Sequence, residues 1–155
     1  FPEGELNEDF KLLTDMLSDV DRFIILPKQC YHVYYRMNSN SRRSHKEDFS
    51  RVFSDIVVNA DYVSELVKQK YPDLTDEAFR FGMIQRLDYM LHIPISMMNP
   101  DNSFFMEVAS YMRKNRFKAW GNDLLTGKNK LYILLLGTAP KKVRQLHAKK
   151  MQKSL

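Results

Sequence analysis

Phe49, Val52, Phe53, Ile56, Val57, Ala60, Val63, Leu66 and Val67 fall at offsets of 0, 3, 4, 7, 8, 11, 14, 17 and 18 along the chain. No other feature constrains the fold so tightly. Apolar side chains at that spacing share one face of a helix, and that face is stable in water only when something covers it. The spacing predicts a long helix over about residues 45–70, burying Phe49, Phe53, Ile56, Val63 and Val67. It should end near Tyr71-Pro72, where the proline ring cannot continue it.

The cover is written in the same period. Ala78, Phe79, Met83, Leu87, Met90 and Leu91 predict a helix from Thr75 that Pro94 stops. Phe104, Phe105, Val108, Ala109 and Met112 predict another over residues 103–114, and Leu131 to Leu136 a further one. Pro140 opens a basic helix with Val143, Leu146, His147 and Met151 on one face. Before the long helix, Leu12, Leu13, Met16, Leu17 and Val20 predict a helix over residues 8–20, with Asn7 as its N-cap. Phe23-Ile24-Ile25-Leu26 and Tyr31-His32-Val33-Tyr34-Tyr35, parted by Pro27-Lys28-Gln29, read as a two-stranded β element near residues 22–36. Residues 38–44 read as a polar loop. The expected fold class is mainly α, about five helices with that short β element near the N-terminus.

Composition excludes several classes of function. Cys30, the only cysteine, cannot form a disulfide framework or a cysteine-rich zinc module, and its place in a strand pattern reads as a buried soft hydrophobe. Five glycines without GxGxxG or GxxxxGK[ST] spacing exclude the familiar phosphate-cradling loops. Four dispersed histidines show no zinc-binding spacing. No apolar run approaches the ~18–20 residues of a membrane span. The nine methionines read as helix-packing residues.

Charge is divided unevenly. Residues 113–155 hold 12 of the 24 Lys/Arg but only one of the 19 acids, Asp123. Such a basic end meets polyanions or an anionic membrane surface. Lys141, Lys142, Arg144, Lys149 and Lys150 around Val143, Leu146 and Met151 have the pattern of an interfacial amphipathic helix, and equally of a solvated terminus.

Three other clusters have chemical potential. Glu8-Asp9 stands where a loop enters the first helix, and a helix N-terminus stabilises carboxylate anions, as a base ionised at neutral pH requires. Plain capping explains the pair as well. Asp19-Val20-Asp21 has the spacing of a divalent-ion site, but it also reads as a solvated helix end. Tyr31 to Lys46 contains Arg36, Arg42, Arg43, Lys46, His32 and His45 with no acid. That composition suits a loop closing over a diphosphate, a single-stranded nucleic acid, or a solvated loop.

Phe1-Pro2-Glu3-Gly4-Glu5-Leu6-Asn7-Glu8-Asp9-Phe10, a leucine-rich helix, Phe23-Ile24-Ile25, and then Tyr34-Tyr35-Arg36-Met37-Asn38-Ser39-Asn40-Ser41 form an ordered set. The set resembles the C-terminal third of family-2, inverting GT-A glycosyltransferases of the bacterial polysaccharide-synthesis kind. The detailed likeness covers residues 1–46, while the helical remainder is similar only in style. The resemblance implies that residues 1–44 end a catalytic domain and residues 45–155 form a C-terminal helical domain with a basic tail. It makes Asp9 the general base, with Glu8 beside it. Tyr35, Arg36, Asn40, Ser41, Arg42 and Arg43 would lie around the donor's diphosphate. Asn38 stands where the family has a second arginine and Arg42-Arg43 where it has Ile-Thr, so the positive charge is kept but displaced.

The implied partners are a nucleotide-sugar donor and a saccharide or lipid-linked acceptor, with Mg²⁺ or Mn²⁺ serving the whole enzyme and none bound by this part. The implied place is the cytoplasm, peripheral on the inner face of the cell membrane. The chain opens at Phe1 without an initiator methionine or a signal peptide, which reads as a fragment inactive alone, with the donor-binding half ahead of it. Two other classes fit the basic end: a helical nucleic-acid-binding module and a protein-interaction domain.

Overall fold

The computed structural model describes residues 8–32, 34, 49 and 51–153. Six α-helices form among them: α1 (Glu8–Ser18), α2 (Val52–Lys70), α3 (Thr75–His92), α4 (Ser103–Gly121), α5 (Gly127–Thr138) and α6 (Pro140–Lys153). Single 3-10 turns at Pro72–Leu74 and Ile95–Met97 lead into and out of α3.

α3 is the central rod. Phe79, Met83, Leu87, Tyr89 and Met90 are all buried, and α2, α4, α5 and α6 each pack against it. A helix apolar on most of its circumference has to be surrounded, and α3 is. It ends as its sequence requires: Ile93 is extended ahead of Pro94 (φ −53°, ψ 134°). α4 starts from Asn102, whose side chain accepts the Phe105 N–H at 3.1 Å, and α5 from Thr126, whose hydroxyl accepts the Asn129 N–H at 3.3 Å. Only Ala139 separates α5 from α6, and Pro140 is the first residue of α6, where its missing N–H costs no helical bond.

The long helix begins at Val52, later than its apolar period. Phe49 continues the pattern without continuing the helix, its ring stacked on Phe53 with centroids 5.2 Å apart. The fully covered residues are Val57 and Ala60; Phe49, Phe53, Ile56, Val63 and Val67 are only partly buried. α4 runs to Gly121, well past residue 114. Arg113, Lys114, Arg116, Lys118 and Ala119 are good helix formers that carry it on without an apolar period. α5 crosses α4 closely at Gly137, where a Cβ would lie 3.4 Å from the Arg113 Cα.

The two-stranded element is a correction. No strand occurs among the described residues, and Phe23, Ile24 and Ile25 are 76%, 85% and 84% exposed. An isolated hairpin is marginal in water, and no described part of the chain offers these residues a sheet or a covering face. Cys30 is exposed for the same reason, not buried. α1 is held along one edge. Phe10 lies 5.4 Å from the Phe81 ring of α3, the Tyr62 hydroxyl of α2 donates to Asp15, and the Lys11 ammonium sits 5.1 Å over the Tyr62 ring.

Candidate functional site

Glu8 and Asp9 are the first two residues of α1. Asp9 is exposed, and its Oδ1 accepts the N–H of Phe10 at 3.1 Å. The carboxylate is open to solvent at the N-terminal turn of α1. Such a group can take a proton from a hydroxyl brought to it. Phe10, Lys11 and Asp15 fasten α1 to α2 and α3, so Asp9 is positioned by the helical bundle. The Asp15 hydrogen bond also holds the Tyr62 phenol above its ordinary range.

Tyr35, Arg36, Asn40, Ser41, Arg42 and Arg43 lie outside the described residues; Tyr34 is described and exposed. Asp19 and Asp21 are exposed beyond the C-terminal end of α1, roughly 15 Å along the helix axis from Asp9. Among the described residues no three His, Cys, Asp or Glu side chains gather as a metal site.

Lys141, Lys142, Lys149 and Lys150 are exposed on α6, but Arg144 turns inward. Its Nε donates to the Ile93 carbonyl at 2.9 Å and its Nη2 to the His92 carbonyl at 3.5 Å. These carbonyls stand at the end of α3, where helices leave acceptors unpaired and attract cations. The stripe on α6 is likewise divided: Val143 enters the core, while Leu146 and Met151 face out.

Beside Arg144 lie two histidines in unlike surroundings. His92 stacks on Phe53 at 4.8 Å, and its Nδ1 lies 2.8 Å from the Asp88 carbonyl and 3.1 Å from the Asp88 carboxylate. The hydrogen bond with that carboxylate raises its pKa. His147 meets the Tyr132 ring edge-on at 6.0 Å, and its Nδ1 is buried without a hydrogen-bond partner among the described residues. Burial first, then the positive charge of Arg144, lowers its pKa.

Sequence reasoning missed one polar cluster. Arg86 of α3 is only 4% exposed, and its Nη2 donates to both oxygens of Asp61 on α2, at 2.6 and 2.7 Å. Its Nη1 donates to the Gly82 carbonyl at 3.2 Å, and its guanidinium lies 3.8 Å over the Tyr111 ring of α4. The cluster joins three helices and borders a cleft of about 320 Å³ between them. Its signal was present: Arg86 occupies the stripe of Phe79, Met83 and Met90, at offsets 0, 4, 7 and 11, where an apolar residue belongs.

No protein family, no curated protein and no solved structure matches this chain.

Proposed function

We propose that this chain carries the acceptor-side segment and the C-terminal helical domain of an inverting glycosyltransferase, with Asp9 as the general base. The observation that carries the reading is the order of its parts. A Glu-Asp pair opens a helix, an apolar stretch with no cover of its own follows, and Tyr-Tyr-Arg and Asn-Ser come after it. Large uncovered apolar stretches mark surfaces that meet another element, and a catalytic sheet would meet Phe23, Ile24 and Ile25 in this way.

The chemistry assigned to the chain is proton removal and orientation. The Asp9 carboxylate takes the proton of the acceptor hydroxyl as that oxygen bonds to the anomeric carbon. The bond from that carbon to the nucleoside diphosphate breaks on the opposite face, and its electron pair leaves with the diphosphate. Arg36, Arg42 and Arg43 supply positive charge for the departing phosphates. The divalent cation implied by the resemblance finds no ligand set among the described residues, because no third ligand joins Asp19 and Asp21.

The test is Asp9→Asn in the transferase complete with its donor-binding half. Transfer should fall by about 10²–10⁴-fold with nucleotide-sugar affinity nearly unchanged. Transfer within a few-fold of wild type would remove Asp9 from the role. Calorimetry on the 155-residue chain alone should show little or no binding of UDP-sugars. Tight binding there would overturn the division of labour between the two halves.

A further inference from the structure

α5 and α6 leave between them an apolar cleft of about 450 Å³. Leu131, Tyr132 and Leu135 wall it on one side, and Val143, Leu146 and His147 on the other. Lys128 and Lys150, both exposed, complete the lining. All three leucines open to solvent: Leu131 is 50%, Leu135 43% and Leu146 67% exposed.

Helix geometry places the charges around them. Lys142, Lys149 and Lys150 stand four residues before, three after and four after Leu146, so they surround it on its own face. Lys128 precedes Leu131 by one turn on α5. Lys141 is turned roughly 140° away from Leu146 and belongs to another face. From Leu124 to Leu155 the chain has eight Lys/Arg and no acid.

We propose that this face docks on an anionic lipid bilayer, with Leu131, Leu135 and Leu146 entering the boundary between headgroups and acyl chains. Lys128, Lys142, Lys149 and Lys150 meet the headgroup charges. The match is in both sign and depth. Basic residues draw the face to an anionic surface over a Debye length, and shallow leucines gain from the apolar phase beneath it. Nucleic acid offers the phosphates without an apolar phase for the leucines. A second copy of the face would bring like charges together around them. Among the described residues no helix is long and apolar enough to cross a membrane. Arg144, bonded to the end of α3, holds α6 against the bundle, so the face is presented by a packed domain. The proposal stands apart from the transferase reading, since it uses neither Asp9 nor the residues around the diphosphate.

Co-sedimentation of the 155-residue chain with vesicles tests it. The chain should pellet with phosphatidylserine–phosphatidylcholine vesicles at low salt, less at physiological salt, and not with phosphatidylcholine alone. Lys128→Gln with Lys150→Gln should lower the partition coefficient about 30-fold, whereas Lys68→Gln with Lys70→Gln on α2 should leave it nearly unchanged. Leu131→Asp with Leu146→Asp should lower binding at both ionic strengths, with helix content checked by circular dichroism. In a Leu146→Trp variant, brominated lipid should quench the new indole. Equal pelleting with neutral vesicles, indifference to the leucine changes, an equal loss in the α2 variant, or no quenching would each overturn the proposal. A chain that ignores phosphatidylserine yet binds RNA at the same salt would transfer the face to nucleic acid.

Discussion

Residues 8–34 and the bundle α2–α6 both carry abundant apolar side chains, and they use them in opposite ways. In the bundle Met83, Met90, Ile93, Met112 and Ile133 are fully covered. In the N-terminal part Leu13, Met16 and Leu17 are each more than half exposed, and Phe23 to Leu26 more exposed still. The difference lies in geometry. A stripe of period 3.6 can be covered by another stripe of the same kind, and α2 to α6 supply one another. A short extended run needs a sheet, and the described residues contain none. Apolar content alone does not make a core.

The largest expected contrast comes from truncation. Met90→Ala should cost about 2–5 kcal/mol in urea unfolding, while Leu17→Ala on α1 should stay within about 0.5 kcal/mol. A comparable loss from Leu17 would mean that the outer face of α1 is covered in solution, and the contrast would disappear. Next is the buried ion pair. Asp61→Ala strands the Arg86 charge and should cost about 2–3 kcal/mol, below the usual range for a buried pair because the Asp61 side chain is 47% exposed. Arg86→Met removes the charge with its stem replaced and should change stability by no more than about 1 kcal/mol. An equal cost for both would show that the pair is a net source of stability.

Phe10→Ala should have a smaller and local effect. Its ring pair with Phe81 is worth about 1 kcal/mol. Its loss should speed amide exchange through α1 while leaving α3 unchanged. If α3 also exchanged faster, α1 would be part of the cooperative bundle. The smallest effect is that of pH, and it arises inside the bundle. The raised pKa of His92 gives stability that is complete below its ordinary value of 6.5 and lost as pH rises through the folded value. The lowered pKa of His147 acts in the other direction, giving stability that is lost as pH falls from 6.5 towards the folded value. The two oppose each other in the intact chain. Unfolding midpoints at about pH 5 and about pH 8 should therefore diverge: His92→Gln should weaken more on acidification than wild type, and His147→Gln less. Parallel shifts in both variants would show that other groups set the pH dependence.

The helices were legible because their period was. Thr75, Pro94 and Pro140 mark real boundaries of α3 and α6, and the first helix forms where its leucines predict. The second half of α4 was not legible, since Arg113 to Lys118 carry a helix without an apolar stripe. Arg144 shows the limit of charge counting: its neighbours Lys141 and Lys142 are exposed, but it meets a helix end 51 residues back that no local pattern records. At the candidate site, the position of Glu8 and Asp9 at a helix start followed from Asn7 and the leucines after it. Asp61 and Arg86 lie 25 residues apart and meet only when α2 packs on α3, so no cluster along the chain records the pair.

The single-residue joint at Ala139 bears on how this protein can vary. A connection with no slack transmits any change of length into the helix that follows. One residue added there lengthens α5 or α6 by a position and turns every later side chain through roughly 100°. Arg144 would swing off the Ile93 carbonyl, and Val143 would leave the core. The turn tips at Pro100-Asp101 and Asp123-Leu124 are exposed and can take up an inserted residue at the surface. Natural relatives of this chain should therefore differ in length at those two turns and keep α5 and α6 in fixed register.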